Sequence, residues 1–120
     1  MDRKQPDREE RKKLSNRRLN ETRKVQTDDG HTVYLSVGYD AAEPMVPKEV
    51  FYDAGFKTGS QLEFQVQDFC ILFSLLLQYG MTPEQVAKSL ARKEQPDGSI
   101  QYASISGMIV AELAKAPQWQ

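Results

Sequence analysis

Apolar and polar residues change rhythm several times along this chain. From residue 32 to 39 they alternate, with Val33, Leu35, Val37 and Tyr39 interleaved among Thr32, Tyr34, Ser36 and Gly38, the period of a strand with one buried face. Residues 23–27 just before it are rich in β-compatible side chains. Asp28-Asp29-Gly30 between the two segments tolerates the left-handed backbone that a hairpin turn needs. After a loop over residues 40–46, bracketed by Pro44 and Pro47, the run Glu49-Val50-Phe51-Tyr52-Asp53 predicts a third strand, with Pro47 confined to its beginning. The three strands should form an antiparallel meander.

The period then becomes helical. Ser60-Gln61-Leu62-Glu63 has the form of a capping box, and Gly80 stands where a helix would end on left-handed backbone, so a helix is predicted over residues 61–79. Twelve of the twenty residues from 60 to 79 are apolar, and the stretch 69–77 is apolar nearly all round. Such a helix should be a central core element, buried on more than one side. Its apolar run is broken by Ser74 and is shorter than the roughly 20 residues a bilayer needs, so no membrane span is expected. Thr82-Pro83-Glu84-Gln85 repeats the start signal and predicts a second helix to about residue 92. Pro96-Asp97-Gly98 reads as a turn. Ile105, Met108, Ile109 and Leu113 recur at helical spacing up to Pro117, predicting a third helix over 105–115. The fold class expected is α+β, a meander followed by three helices, with Trp119 either anchored on the domain or exposed in the tail.

Charge changes this picture at the amino-terminal end. The formal net charge of the 120 residues is -1, yet residues 1–24 hold ten Lys/Arg against five Asp/Glu while the remainder holds six against twelve. Residues 1–21 offer too few apolar groups to offset the entropy of ordering, so they are expected to form a disordered basic arm ahead of one α+β domain at 22–116 and a tail at 117–120. Arg11, Lys12, Lys13, Arg17 and Arg18 could contact nucleic acid, although that end of the chain mixes both signs and has no aromatic residue for stacking. The first residues contain no apolar stretch followed by a small-residue cleavage site, so a cytoplasmic location is expected.

Candidate chemistry is sparse. One cysteine, Cys70, and one histidine, His31, exclude an intramolecular disulfide, a cysteine zinc cluster and a His-rich metal site, and no metal or cofactor is expected. Cys70 lies among Phe69, Ile71 and Phe73, where burial suppresses nucleophilicity. His31 follows a hairpin turn with no catalytic companion. Glu49 and Asp53, or Glu63 and Asp68, could share acid–base work only within a common cleft. The loop Gly55-Phe56-Lys57-Thr58-Gly59-Ser60 enters a helix, so Lys57, Gly59 and Ser60 form a candidate anion site, although the loop lacks the full phosphate-loop spacing and turn chemistry explains its glycines better. Three short strands can cover only one side of the long helix. Phe64, Phe69, Phe73 and Leu76 are therefore the candidate interaction face, and a dimer or larger assembly is expected.

The segments Leu14-Ser15-Asn16-Arg17-Arg18, Gly30 through Gly38, Glu49-Val50-Phe51, Lys57-Thr58-Gly59-Ser60 and Leu75-Leu76-Leu77-Gln78-Tyr79-Gly80, in this order, resemble the TSCPD-type domain near the carboxyl end of adenosylcobalamin-dependent (class II) ribonucleotide reductases. The resemblance covers residues 14–90. It implies a free-standing relative of an accessory domain, with a ribonucleotide reductase or its regulators as partner. The family's Thr-Ser-Cys-Pro-Asp stretch is replaced here by Gln95-Pro96-Asp97-Gly98, and the redox cysteines and catalytic barrel have no counterpart. No catalytic residue carries over, so the expected function is a non-catalytic module that binds protein partners, including itself. The alternative is a small nucleic-acid-binding or regulatory protein using the basic arm.

Overall fold

The computed structural model describes residues 18–120. Strand β1 (Arg18–Gln26) pairs antiparallel with β2 (Thr32–Asp40), and β2 with β3 (Glu43–Ala54), in the order β1-β2-β3. The expected meander is present. Val33, Leu35, Val37 and Tyr39 of β2, with Val25 of β1 and Val50 of β3, point to one face and are buried there. Helix α1 (Gln61–Gln78) and helix α3 (Ile105–Leu113) cover that face. Val66, Cys70, Phe73 and Leu77 of α1 and Ile109, Val110 and Leu113 of α3 complete the core.

Two boundaries differ from expectation. Strand β1 begins at Arg18, so residues 18–21, expected in the arm, belong to the sheet; Arg11, Lys12, Lys13 and Arg17 lie outside the described residues. The predicted loop 40–46 shrinks to a tight turn in which Asp40 Oδ1 accepts the N–H of Ala42 at 2.9 Å, and β3 starts at Glu43. Pro44 and Pro47 suggested a loop, but β3 is an edge strand, where a missing N–H is tolerated.

Helix α1 starts as expected, with Ser60 Oγ accepting the N–H of Glu63 at 3.1 Å. It ends in a Schellman arrangement: Gly80 (φ 103°) donates to Leu77 O at 3.1 Å and Met81 to Leu76 O at 3.0 Å, a geometry that only glycine enters without strain. Helix α2 (Pro83–Ala87) has the expected reciprocal capping box of Thr82 and Gln85. It is much shorter than predicted. The chain tightens through Ser89 N–H to Val86 O and Leu90 N–H to Ala87 O, and the Arg92 guanidinium also donates to Ala87 O at 3.3 Å, satisfying a carbonyl at the helix end. The chain then enters a hairpin the sequence pattern did not show, β4 (Arg92–Glu94) and β5 (Ile100–Tyr102), closed around Pro96-Asp97-Gly98.

Candidate interaction surface

Helix α1 lies along the free edge of β3. Ser74 Oγ accepts the N–H of Val50 at 2.9 Å and donates to its carbonyl at 3.1 Å. Gln78 Nε2 donates to Lys48 O at 3.1 Å. These two polar side chains satisfy edge groups that β2 cannot reach, which blunts an otherwise open strand edge. They also fix the rotation of the helix. With Ser74, Cys70, Phe73 and Leu77 turned inward, the opposite side must carry apolar residues to solvent. Phe64 is 49% exposed, Ile71 58%, Leu72 61%, Leu76 43% and Tyr79 44%. Their spacing of i, i+7, i+8, i+12 and i+15 keeps them on one side of the helix.

Of the four residues expected on an interaction face, Phe64 and Leu76 are exposed, whereas Phe73 is fully buried and Phe69 is half-buried, stacked on Phe73 with centroids 5.6 Å apart. Ile71, Leu72 and Tyr79 share the exposed side. The described residues thus cover helix α1 on one side rather than on several. The missed signal was Ser74: a lone hydroxyl in an apolar helix reads as the solvent side, but here it is the contact with β3.

At the amino end of α1 the candidate anion groups are adjacent but already engaged. Gly59 N–H donates to the Glu63 carboxylate at 2.8 Å and Ser60 N–H to Lys57 O at 3.0 Å. The chain's own carboxylate therefore occupies one of the donors an incoming anion would use. Of the four carboxylates that could pair only within a common cleft, Glu49, Asp53 and Glu63 have other partners. Arg18 donates to Glu49 at 3.1 Å, Ser36 Oγ to Asp53 at 2.6 Å, and Glu63 serves the helix cap. His31 Nδ1 sits 2.9 Å from Asp29, whose carboxyl is held at about 2 by hydrogen bonds from His31 and Thr27. Burial, with a smaller contribution from Asp53, pushes the Cys70 thiol up to about 12, so it is a poor nucleophile. Among the described residues no group of three His, Cys, Asp or Glu could hold a metal ion, and no helix is long and apolar enough to cross a membrane.

A buried polar cluster on the covered face was not visible in the sequence. Arg23 of β1 donates to Glu21 at 2.9 Å, to Tyr39 Oη at 3.3 Å, and to the carbonyls of Glu112, Lys115 and Ala116 at 2.6, 3.2 and 3.0 Å. Tyr39 donates to Glu21, which also accepts the N–H of Gln118 at 3.1 Å. Burial and then the Glu21 hydrogen bond raise the Tyr39 phenol well above its ordinary value. The cluster secures the chain beyond α3. Trp119 is anchored, its ring edge-on to Tyr39 at 4.9 Å and its indole N–H on Pro44 O at 2.8 Å. Every member has a partner within the fold, so the cluster is tertiary glue.

The family model for the TSCPD domain matches residues 5–116. The chain belongs to the TSCPD-domain family. Over 93 residues, 77% of its length, this TSCPD domain is 37% identical to a vitamin B12-dependent ribonucleotide reductase of Agrobacterium fabrum, of which the match spans 7%. No solved structure matches it. The resemblance stated from the residues is thereby shown, and the TSCPD domain corresponds to a small part of that relative. Gln95-Pro96-Asp97-Gly98 forms the turn of the β4–β5 hairpin, where Ser99 donates to Asp97 through N–H at 2.9 Å and Oγ at 2.7 Å.

Proposed function

We propose that this TSCPD domain is a non-catalytic accessory module of the ribonucleotide-reductase type, which acts by binding proteins through the outer side of α1, first of all a second copy of itself. The observation that carries the reading is the stripe of Phe64, Ile71, Leu72, Leu76 and Tyr79, exposed by a helix whose rotation the β3 edge fixes. Fifteen residues separate its ends, so it runs about 22 Å at 1.5 Å per residue. It interrupts its apolar course with only one acidic residue, Asp68. A long narrow stripe of this kind fits another helix, and two copies of α1 related by a two-fold axis present the same patch to each other. The 7% span of the relative supports the accessory role, because the homologous region there belongs to a far larger chain.

Co-expressed tagged and untagged copies test the self-association. The untagged copy should be retained by the wild type and lost with Leu72→Glu. Retention of a reductase polypeptide from cell extract, lost with the same substitution, is the expected sign of the accessory role. Retention of neither protein by the wild type would remove the reading.

A further inference from the structure

Two hydrogen-bonding groups stand inside the apolar stripe of α1. At about 100° per residue, Phe64, Ile71, Leu72, Leu76 and Tyr79 span about 140° around the helix, and Asp68 and Tyr79 both lie within about 10° of the middle of that arc. Both side chains are exposed. Among the described residues neither the Asp68 carboxylate nor the Tyr79 hydroxyl makes a hydrogen bond or an ion pair. The two cannot serve each other within one chain, because eleven residues separate them, about 16 Å along the axis. One is an acceptor without a donor, and the other offers a donor without an acceptor.

We infer, resting on the self-association proposed above, that α1 packs antiparallel on α1 of a second copy, with the Tyr79 hydroxyl of each chain donating to the Asp68 carboxylate of the other. The two-fold axis crosses the stripe between Ile71 and Leu72, midway between its ends. Like charge excludes the parallel arrangement. An axis running along α1 would set two Asp68 carboxylates against each other on the midline of the contact as water leaves, and α1 has no Lys or Arg to neutralise them. The perpendicular axis instead separates the two carboxylates by about 10 Å along the helices. It also brings Tyr79 level with residue 64 of the second copy. A helical side chain leans toward the amino end of its own helix, so the tyrosine runs toward residue 68 of that copy, four residues and about 6 Å further on. The charge-assisted hydrogen bond forms twice by symmetry. It provides a partner for the one charge that the contact would otherwise bury alone.

Thiol cross-linking and light scattering on the full chain test the direction and the hydrogen bond separately. The cross-linker is a bismaleimide spanning about 10 Å, the separation of packed helices, and the buried Cys70 does not compete for it. Ile71→Cys and Leu72→Cys, beside the axis, should each join two chains. Gln65→Cys, about 20 Å along the helices from its own copy, should not. Joining through Gln65→Cys would show parallel helices and overturn the pairing while leaving self-association standing. Failure of both Ile71→Cys and Leu72→Cys to join chains of a dimeric protein would also overturn it. Tyr79→Phe and Asp68→Ala should each weaken the dimer about 10-fold or more. The double change should weaken it no further than the stronger single one, because both delete the same hydrogen bond. Asp68→Asn keeps an acceptor oxygen and should lose less. A dimer unchanged or tightened by Asp68→Ala would overturn the pairing of Asp68 with Tyr79. A monomeric wild type would leave the stripe to a different protein and overturn both this pairing and the self-association beneath it.

Discussion

The inner and outer sides of α1 are less sharply sorted by polarity than those of the usual amphipathic helix. Its inner side includes a serine and a cysteine, its outer side Ile71 and Leu72. What places them is the free edge of β3: Val50 needs both a donor and an acceptor, and only a hydroxyl at position 74 supplies both from one atom. Once Ser74 is committed, geometry decides the rest. Apolar residues 71, 72 and 76 must then face outward, with no described element of the fold to cover them. The sheet shows the same mixing, with Glu21 and Arg23 on the covered face of β1 and Phe51 on the open face of β3. Inside this domain the polar groups of the Arg23 cluster and Ser74 are paired; outside it, apolar groups stay exposed.

The sharpest way to break the inner half of that contrast is to leave a buried charge alone. Arg23→Ala deprives Glu21 of its guanidinium and three carboxyl-terminal carbonyls of their donor, and should cost about 3–5 kcal/mol in urea denaturation. The double change Glu21→Leu with Arg23→Met removes both charges together and should be much milder. If the single change is as mild as the double, the cluster contributes little.

Ser74→Ala comes next. It leaves the Val50 N–H and carbonyl without the partner on α1, at a cost of about 1–3 kcal/mol. Leu72→Ser, on the outer side, should alter the stability of the folded subunit by no more than about 0.5 kcal/mol. Equal effects of the two substitutions would mean that the helix is rotated differently.

Cys70 gives a smaller, chemical readout of the same inner side. Since burial holds its thiol near 12, it should resist a disulfide reagent at about pH 8 in the folded protein and react fully in urea. The sign of the linked stability is fixed by the raised value. The unfolded chain loses this proton above about 9 while the folded chain keeps it, so the contribution is fully present below pH 9 and declines as pH rises toward 12. Rapid labelling of the folded protein would place Cys70 at the surface.

The meander and the caps were legible because each rests on local chemistry: alternation in β2, Asp28-Asp29-Gly30 at the turn, Ser60 and Thr82 at helix starts, Gly80 at a helix end. What escaped depended on long-range pairing. The three-residue strands β4 and β5 are too short for a period to register. Pro44 and Pro47 signal a loop unless β3 is known to be an edge. Arg23 has no local sign that its partners lie near residues 112–118. Of the four side chains expected outside, Phe64 and Leu76 are exposed and Phe73 is buried, because the near-uniform apolar character of residues 69–77 gives no direction to the helix. Only the contact of Ser74 with Val50 supplies one.

The mass of the full chain in solution, followed by light scattering over a concentration series, tests most directly whether the outer side of α1 is a contact surface. A dimer or larger mass is expected for the wild type, falling to the monomer for Leu72→Glu with the fold retained. A monomeric mass for the wild type at every concentration, or an assembly untouched by Leu72→Glu, would contradict it.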